Sequence, residues 1–358
     1  MNELEHQLDY PLGDTLPPLG TTIELAPGVR WLRMVLPFAL DHINLWLLRD
    51  RIDGREGWSI VDCGISSDTT RAAWEQVFAN DLQGLPVLRV IVTHMHPDHV
   101  GLAHWLTGRW STPDHECRLW MSATDYNAAR TACMPSAKAA VLTPQFAQAH
   151  GITDPDAIEK LKGRGSHFAS LVPAMPERFA RLLDGDVLRI GEHDWTCHVG
   201  YGHAPEHMSL HCPALGVLIS GDMVLPRIST NVSVFDIEPL SNPVQWFLDS
   251  LKKFEGCDED TLVLPSHGRP FRKLHVRLRQ LDDHHHERLS MLLSACSERS
   301  LTAAQAVSLM FNRTFDTHQM TFALGESLAH LHALWYAGKA GRTIDKDEVV
   351  RFAGLQAA

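Results

Sequence analysis

Short apolar runs, not helical stripes, dominate the first third of the chain. After a Pro- and Gly-rich leader to about Pro27 come GVRWLRMVLP (28–37), INLWLLRD (43–50) and WSIVDCG (58–64), rich in β-branched and aromatic residues and bounded by turn formers. The segment SSDTTRAAWEQVFAN (66–80) changes to a helical period, with Ser and Asp placed to cap its start. PVLRVIVTH (86–94) is apolar at nearly every position, the pattern of a strand buried on both faces. From about Ser122 to Leu183 the texture becomes Ala-rich and helical, in SATDYNAARTAC, SAKAAVLTPQFAQAHG and SHFASLVPAMPERFARLL. Strand texture returns at 186–203, 208–222 and 261–268, and from about Phe271 the chain reads as mostly helix. Two batches of strands with helices between and around them predict a layered α/β protein.

The buried strand at 86–94 runs straight into THMHPDHVG, which sets His94, His96, Asp98 and His99 on the loop at its end. Imidazole and carboxylate suit Zn, Fe or Mn, and four such groups in six positions cannot all reach one ion without strain. Alternate side chains point apart, so His94 and His96 can take one ion while Asp98 and His99 turn toward another. Three more apolar runs end in residues of the same type: His203 and His207 in YGHAPEHMSLH, Asp222 in LISGDMVLP, and His267 in LVLPSHGRP.

Composition narrows the field. The formal charge of −11 disfavours a nucleic-acid backbone as main partner. Seven scattered cysteines without a Cys-x-x-Cys pair fit reduced thiols, and no apolar run reaches membrane-spanning length. With MNELEHQLDY lacking the pattern of a signal peptide, the expectation is a cytoplasmic protein without membrane contact.

The ordered set Asp62 in VDCG, THMHPDH, GHAPEH, SGD and PSHG resembles the metallo-β-lactamase superfamily over about residues 25–270. The resemblance implies an αββα sandwich with two metals at one edge of the paired sheets. It implies that His94, His96 and His203 hold the first ion, that Asp98, His99 and His267 hold the second, and that Asp222 bridges them. Zn is the first expectation, with Fe or Mn suited by the same donors. Two ions lower the pKa of a shared water and stabilise an oxyanion, which implies hydrolysis by metal-bound hydroxide with Asp98 as proton shuttle. Asp62 and His207 are expected to support the ligands from behind, the alternatives being a turn residue and a structural histidine.

The tail, LTAAQAVSLMF, then GESLAHLHALWYAGKAGR and TIDKDEVVRF, resembles the family branch with a C-terminal winged helix. The expected division is a catalytic domain at 1–271, with a helical insertion at about 122–183, and a winged-helix-like domain at 272–358. The helix at Gly325–Gly338 carries no Arg and no Lys before Lys339, so packing or homodimerisation is expected there in place of nucleic-acid binding. The HHH at 284–286 is expected on a solvated helix face. The insertion could roof the metals with apolar side chains, among them Phe146, Phe168, Met175 and Phe179, or pack its own core with them. Asp41 and His42 lie near the expected rim, where they could touch substrate. A small acyl compound, a thioester, lactone or ester, is the leading substrate class. A phosphodiesterase or endoribonuclease, and a ligand-sensing winged-helix regulator, are the alternatives.

Overall fold

Twelve strands arrange themselves into two sheets whose ends meet at one edge. The computed structural model describes residues 4–38, 40–134, 143–162, 167–312 and 315–355. In chain order the first half gives β1 (Ile23–Ala26), β2 (Val29–Val35), β3 (His42–Ile52), β4 (Arg55–Val61), α1 (Asp68–Asn80), β5 (Val87–Ile91), α2 (Pro97–Val100), α3 (Ala103–Trp110) and β6 (Arg118–Met121). The insertion follows with α4 (Ala123–Ala132), α5 (Pro144–Ala149), α6 (Pro155–Lys162), α7 (His167–Leu171) and β7 (Phe179–Arg181). The second half gives β8 (Val187–Ile190), β9 (His193–Gly200), β10 (His207–Cys212), β11 (Val217–Gly221), α8 (Pro243–Leu251) and β12 (Leu262–Pro265). The C-terminal region is α9 (Leu274–Glu298), α10 (Ala303–Met310), α11 (Thr317–Tyr336) and a hairpin of β13 (Ala340–Ile344) with β14 (Val350–Gly354).

The first sheet runs β1-β2-β3-β4-β5-β6-β7 and the second β12-β11-β10-β9-β8. Period-two alternation sorts their side chains into layers. Trp31, Trp46, Val61 and Ile91 from the first sheet meet Trp195, Leu210, Ile219 and Leu264 from the second. On the outer face of the first sheet, Leu45, Ile60, Val90 and Leu119 pack against Trp74 and Val77 of α1 and Leu106 of α3. β5 is buried along its whole length, including Arg89, whose guanidinium stands 2.8 Å from Asp50 Oδ2. Helix α1 begins where the sequence places it, with the Ser67 hydroxyl accepting from Thr70 N. Among the described residues no helix is long and apolar enough to cross a membrane.

The outer face of the second sheet is covered by α8, α9 and the C-terminal helices. One continuous core joins Leu218 and Val263 to Val244, Phe247, Leu278, Leu328 and Phe352. Helix α11 is buried along nearly its whole course, and Gly325 sits where an added Cβ would stand 2.9 Å from Ser233 Cβ.

Three expectations are corrected here. Phe179 lies in strand β7, which pairs parallel to β6, because its backbone completes the sheet edge. His285 does not face water: it is fully buried, its Nδ1 3.0 Å from His330 Nε2, because α11 covers that side of α9. Phe146 packs into the core shared with the C-terminal helices, its ring 4.2 Å from His150. The first part of the helix expected at 136–151 lies outside the described residues.

Candidate metal centre

Strand ends bring the site together. β5 stops at Ile91, and the chain passes His94 and His96 before Pro97 opens the single turn of α2, which carries Asp98 and His99. His203 lies on the loop from β9 to β10, Asp222 directly follows β11, and His267 comes two residues after β12. The seven side chains form two facing groups. In one, His94 Nε2 stands 2.9 Å from His96 Nδ1 and 3.2 Å from His203 Nε2. In the other, His267 Nε2 stands 3.4 Å and His99 Nε2 3.7 Å from Asp98 Oδ2. Asp222 lies between them, with Oδ2 3.2 Å from His203 Nε2 and Oδ1 3.6 Å from both His99 Nε2 and His267 Nε2.

The outward nitrogens are held, so the inward ones are aimed. His99 Nδ1 donates to Asp62 Oδ2 at 2.8 Å, His203 Nδ1 to the Asn231 carbonyl at 2.8 Å, and His267 Nδ1 to the His42 carbonyl at 2.8 Å. Asp62 is fully buried with φ of 63°, and it also accepts from Thr93 N at 2.8 Å and from the Thr93 hydroxyl. That left-handed backbone is strained for a residue with a Cβ, which fits a position fixed by its partners. His207 Nε2 accepts from Asp222 N at 3.0 Å. Gly221 makes room for this contact, since a Cβ there would fall 2.3 Å from His207 Nε2.

The groups present suit cations. His99 Nε2 and Asp222 Oδ1 are buried with no hydrogen-bond partner among the described residues, an arrangement that costs free energy unless something else binds them. Burial, reinforced by the neighbouring imidazoles, pushes His94 well below the ordinary histidine range, and His96 falls to about 3, so both present neutral nitrogens. Burial acts the same way on His99, but Asp62, Asp98 and Asp222 outweigh it and lift that imidazole to about 10. Burial works against the Asp98 carboxylate, yet His99 and His267 bring it down to about 2. The second group therefore demands positive charge, which a divalent ion supplies.

One supporting residue escaped the sequence reading. Asp125, buried at the start of α4, accepts from Met95 N at 2.8 Å and from Glu206 N at 2.7 Å. It ties the loop of His94 and His96 to the loop of His203. The only sequence signal is an acid three residues after Ser122, which reads as a helix-capping pattern.

The expected substrate contacts divide. His42 stands beside the cage: Gly268 N donates to its Nε2 at 2.8 Å, and its Nδ1 bonds Asp41, whose own side chain is exposed. Phe168 and Met175 pack against the outer-face core of the first sheet, and with Phe146 they line neither of the two cavities at His42.

Residues 40–267, more than half of the chain, match the family profile described as Metallo-beta-lactamase superfamily, and residues 289–355 match Metallo-beta-lactamase-like, C-terminal domain. A crystal structure of a beta-lactamase domain protein from Burkholderia ambifaria is 55% identical, with TM-score 0.92 over 99% of this chain and 100% of that one. A probable metallo-hydrolase of Bacillus subtilis is 23% identical over 85% of this chain and 91% of its own. A linear primary-alkylsulfatase from a Pseudomonas species is 27% identical over 61% of this chain and 41% of its own. An acyl-coenzyme A thioesterase of Gallus gallus is 25% identical over 69% of this chain and 80% of its own.

Proposed function

The chain belongs to the metallo-β-lactamase superfamily and is a metal-dependent hydrolase; from that premise we propose that it works with two divalent ions on a small acyl compound, a thioester before a lactone or simple ester. The observation that carries the two-ion reading is Asp222, whose two carboxylate oxygens face two separate donor groups. His94, His96 and His203 would hold one ion, and Asp98, His99 and His267 the other. Nitrogen and oxygen donors of this kind suit Zn first and also Fe or Mn. When bound, such a pair supplies Lewis acidity and a water acidified toward neutral pH. Asp98, whose carboxylate faces His99 and His267, would take the proton of the attacking water. Asp62 holds the His99 ring, and His207 holds the backbone of Asp222, so neither group has to reorganise during the reaction.

The relative named as an acyl-coenzyme A thioesterase supports the acyl reading. The C-terminal region, winged-helix-like in its order of elements, serves as a packing module: α11 carries neither Lys nor Arg and is largely buried, so this helix offers no basic face to a nucleic acid. All seven thiols are free, in keeping with a reducing compartment such as the cytoplasm.

The test pairs metal analysis with one substrate panel. About two transition-metal ions per chain are expected, with turnover on acyl-CoA or glutathione thioesters exceeding that on lactones, alkyl sulfates, bis-aryl phosphodiesters and single-stranded RNA. Faster cleavage of RNA than of every acyl substrate would replace this reading with the nuclease one, and full activity in metal-free protein would end both.

A further inference from the structure

Two adjoining cavities of about 290 and 280 Å³ share Leu16, Arg33 and His42 in their linings; His42, whose carbonyl accepts from His267 Nδ1, connects them to the cage, and Gly268 lines the first. Their placement follows from strand period. Val29 and Trp31 point into the core between the sheets, so Arg33, two residues further along β2, takes the same face where that strand reaches the cage. Its partner in register is Asn44, whose amide donates to the carbonyls of Pro265 at 2.7 Å and Gly268 at 3.0 Å, on either side of His267. Arg33 is thus fixed relative to a residue of the metal cage.

Two chemistries meet in these cavities. Arg33, Arg227 and Arg269 line one of them, in a chain whose net charge is −11. Arg269 is engaged with the leader, 2.6 Å from Asp14 and over the Tyr10 ring, and Arg227 stands 4.0 Å from Glu5, an acid of the same lining. Arg33 differs: its guanidinium has no hydrogen bond or ion pair among the described residues, and burial depresses its pKa despite Asp41 nearby. A half-buried guanidinium without an acceptor costs desolvation that an oxyanion would offset, in a geometry suited to two parallel hydrogen bonds. The neighbouring cavity has an aliphatic wall in Leu16, Leu19 and Val35, which are 42%, 43% and 47% exposed. Aliphatic side chains grouped along one concave wall mark a place for an apolar ligand.

We propose that these cavities anchor the substrate: Arg33, with Arg227 and Arg269 around it, binds an oxyanion on a molecule whose aliphatic part lies along Leu16, Leu19 and Val35. The substrate class is then an amphiphilic organic anion, carrying phosphate, sulfate or carboxylate at a distance from the bond that is cut. This rests on the hydrolase reading of the cage and narrows it.

The test separates binding from turnover. Decylphosphonate, a non-hydrolysable amphiphilic anion, is titrated calorimetrically into the metal-loaded wild type, Arg33→Gln and Arg33→Lys. Arg33→Gln is expected to weaken binding tenfold or more, Arg33→Lys less, and added salt is expected to weaken the wild type. In parallel, Arg33→Gln is expected to raise KM for decanoyl-CoA or S-decanoyl-3-mercaptopropionate at least tenfold relative to a neutral decanoyl N-acetylcysteamine thioester. The substrate that shows this split identifies the source of the oxyanion. Equal dissociation constants in wild type and Arg33→Gln, or 1-decanol binding as tightly as the phosphonate, would overturn the site while acyl turnover leaves the hydrolase reading standing. Arg33-dependent phosphonate binding without turnover of any acyl substrate would keep the site and remove the acyl reading.

Discussion

Asp222 and Asp98 divide the cage at the level of single atoms. Asp98 touches only the group that contains His99 and His267, whereas His96 touches only the group that contains His94 and His203. Asp98→Ala and His96→Ala are therefore both expected to lose nearly all activity, but each by losing a different ion. Metal analysis should find about one ion per chain in either variant, against about two in the wild type. Asp125 acts at one remove. Asp125→Ala leaves the amides of Met95 and Glu206 without their acceptor, at about 1–3 kcal/mol for each such group that stays dry. The two loops it joins then lose register, and metal affinity is expected to fall about 10- to 100-fold in competition with a chelator. Its titration gives a second readout. Burial lifts the Asp125 carboxyl to about 6 in spite of hydrogen bonds that favour the anion. Between the ordinary carboxyl range and about pH 6, the native state thus keeps a proton that the unfolded chain has released. The contribution of this group to stability is greatest at low pH and falls as pH rises through that window. Urea unfolding at about pH 4 and about pH 6.5 should show stability changing more favourably with rising pH in Asp125→Asn than in the wild type, because the variant lacks this loss.

Strands were the legible elements and short edges were not. The apolar run before His94 announced a buried strand, and the strand ends before Asp222 and His267 announced the rest of the cage. Phe179 was hidden because β7 spans three residues and follows an Ala-rich stretch, too short for its alternation to register. His285 was hidden because its burial depends on α11, a partner some forty residues further on that no local pattern names. Asp125 was hidden because a carboxylate that accepts from distant backbone amides looks, in sequence, like a helix cap. Arg33 did leave a trace: in VRWLRMV a charged residue occupies the face that Val29 and Trp31 reserve for the core. The fit of α11 against the loop at Ser233 offers a test at this scale. Gly325→Val should lower the unfolding free energy by about 1–3 kcal/mol, because the added methyls meet Ser233 and the Val234 carbonyl. Equilibrium denaturation would measure it.

Across the whole molecule, one core spans from Leu8 to Phe352 and passes through the outer face of the second sheet. A chain cut after Phe271 would leave Val234, Val244, Phe247 and Val263 without their cover. It is expected to bind a hydrophobic dye and to sediment as aggregates to a greater extent than the full chain measured in parallel. The spread of the cage along the sequence has a consequence for synthesis. On the ribosome His94, His96, Asp98 and His99 emerge first, while Asp222 and His267 are still untranslated. At that stage the first sheet has no second sheet to cover its inner face, and the donor set lacks Asp222 and His267. The donor set is complete only once Pro265 has paired beside Gly221, so the metal content is expected to follow what is available as folding finishes, which refolding in mixtures of Zn and Mn would measure.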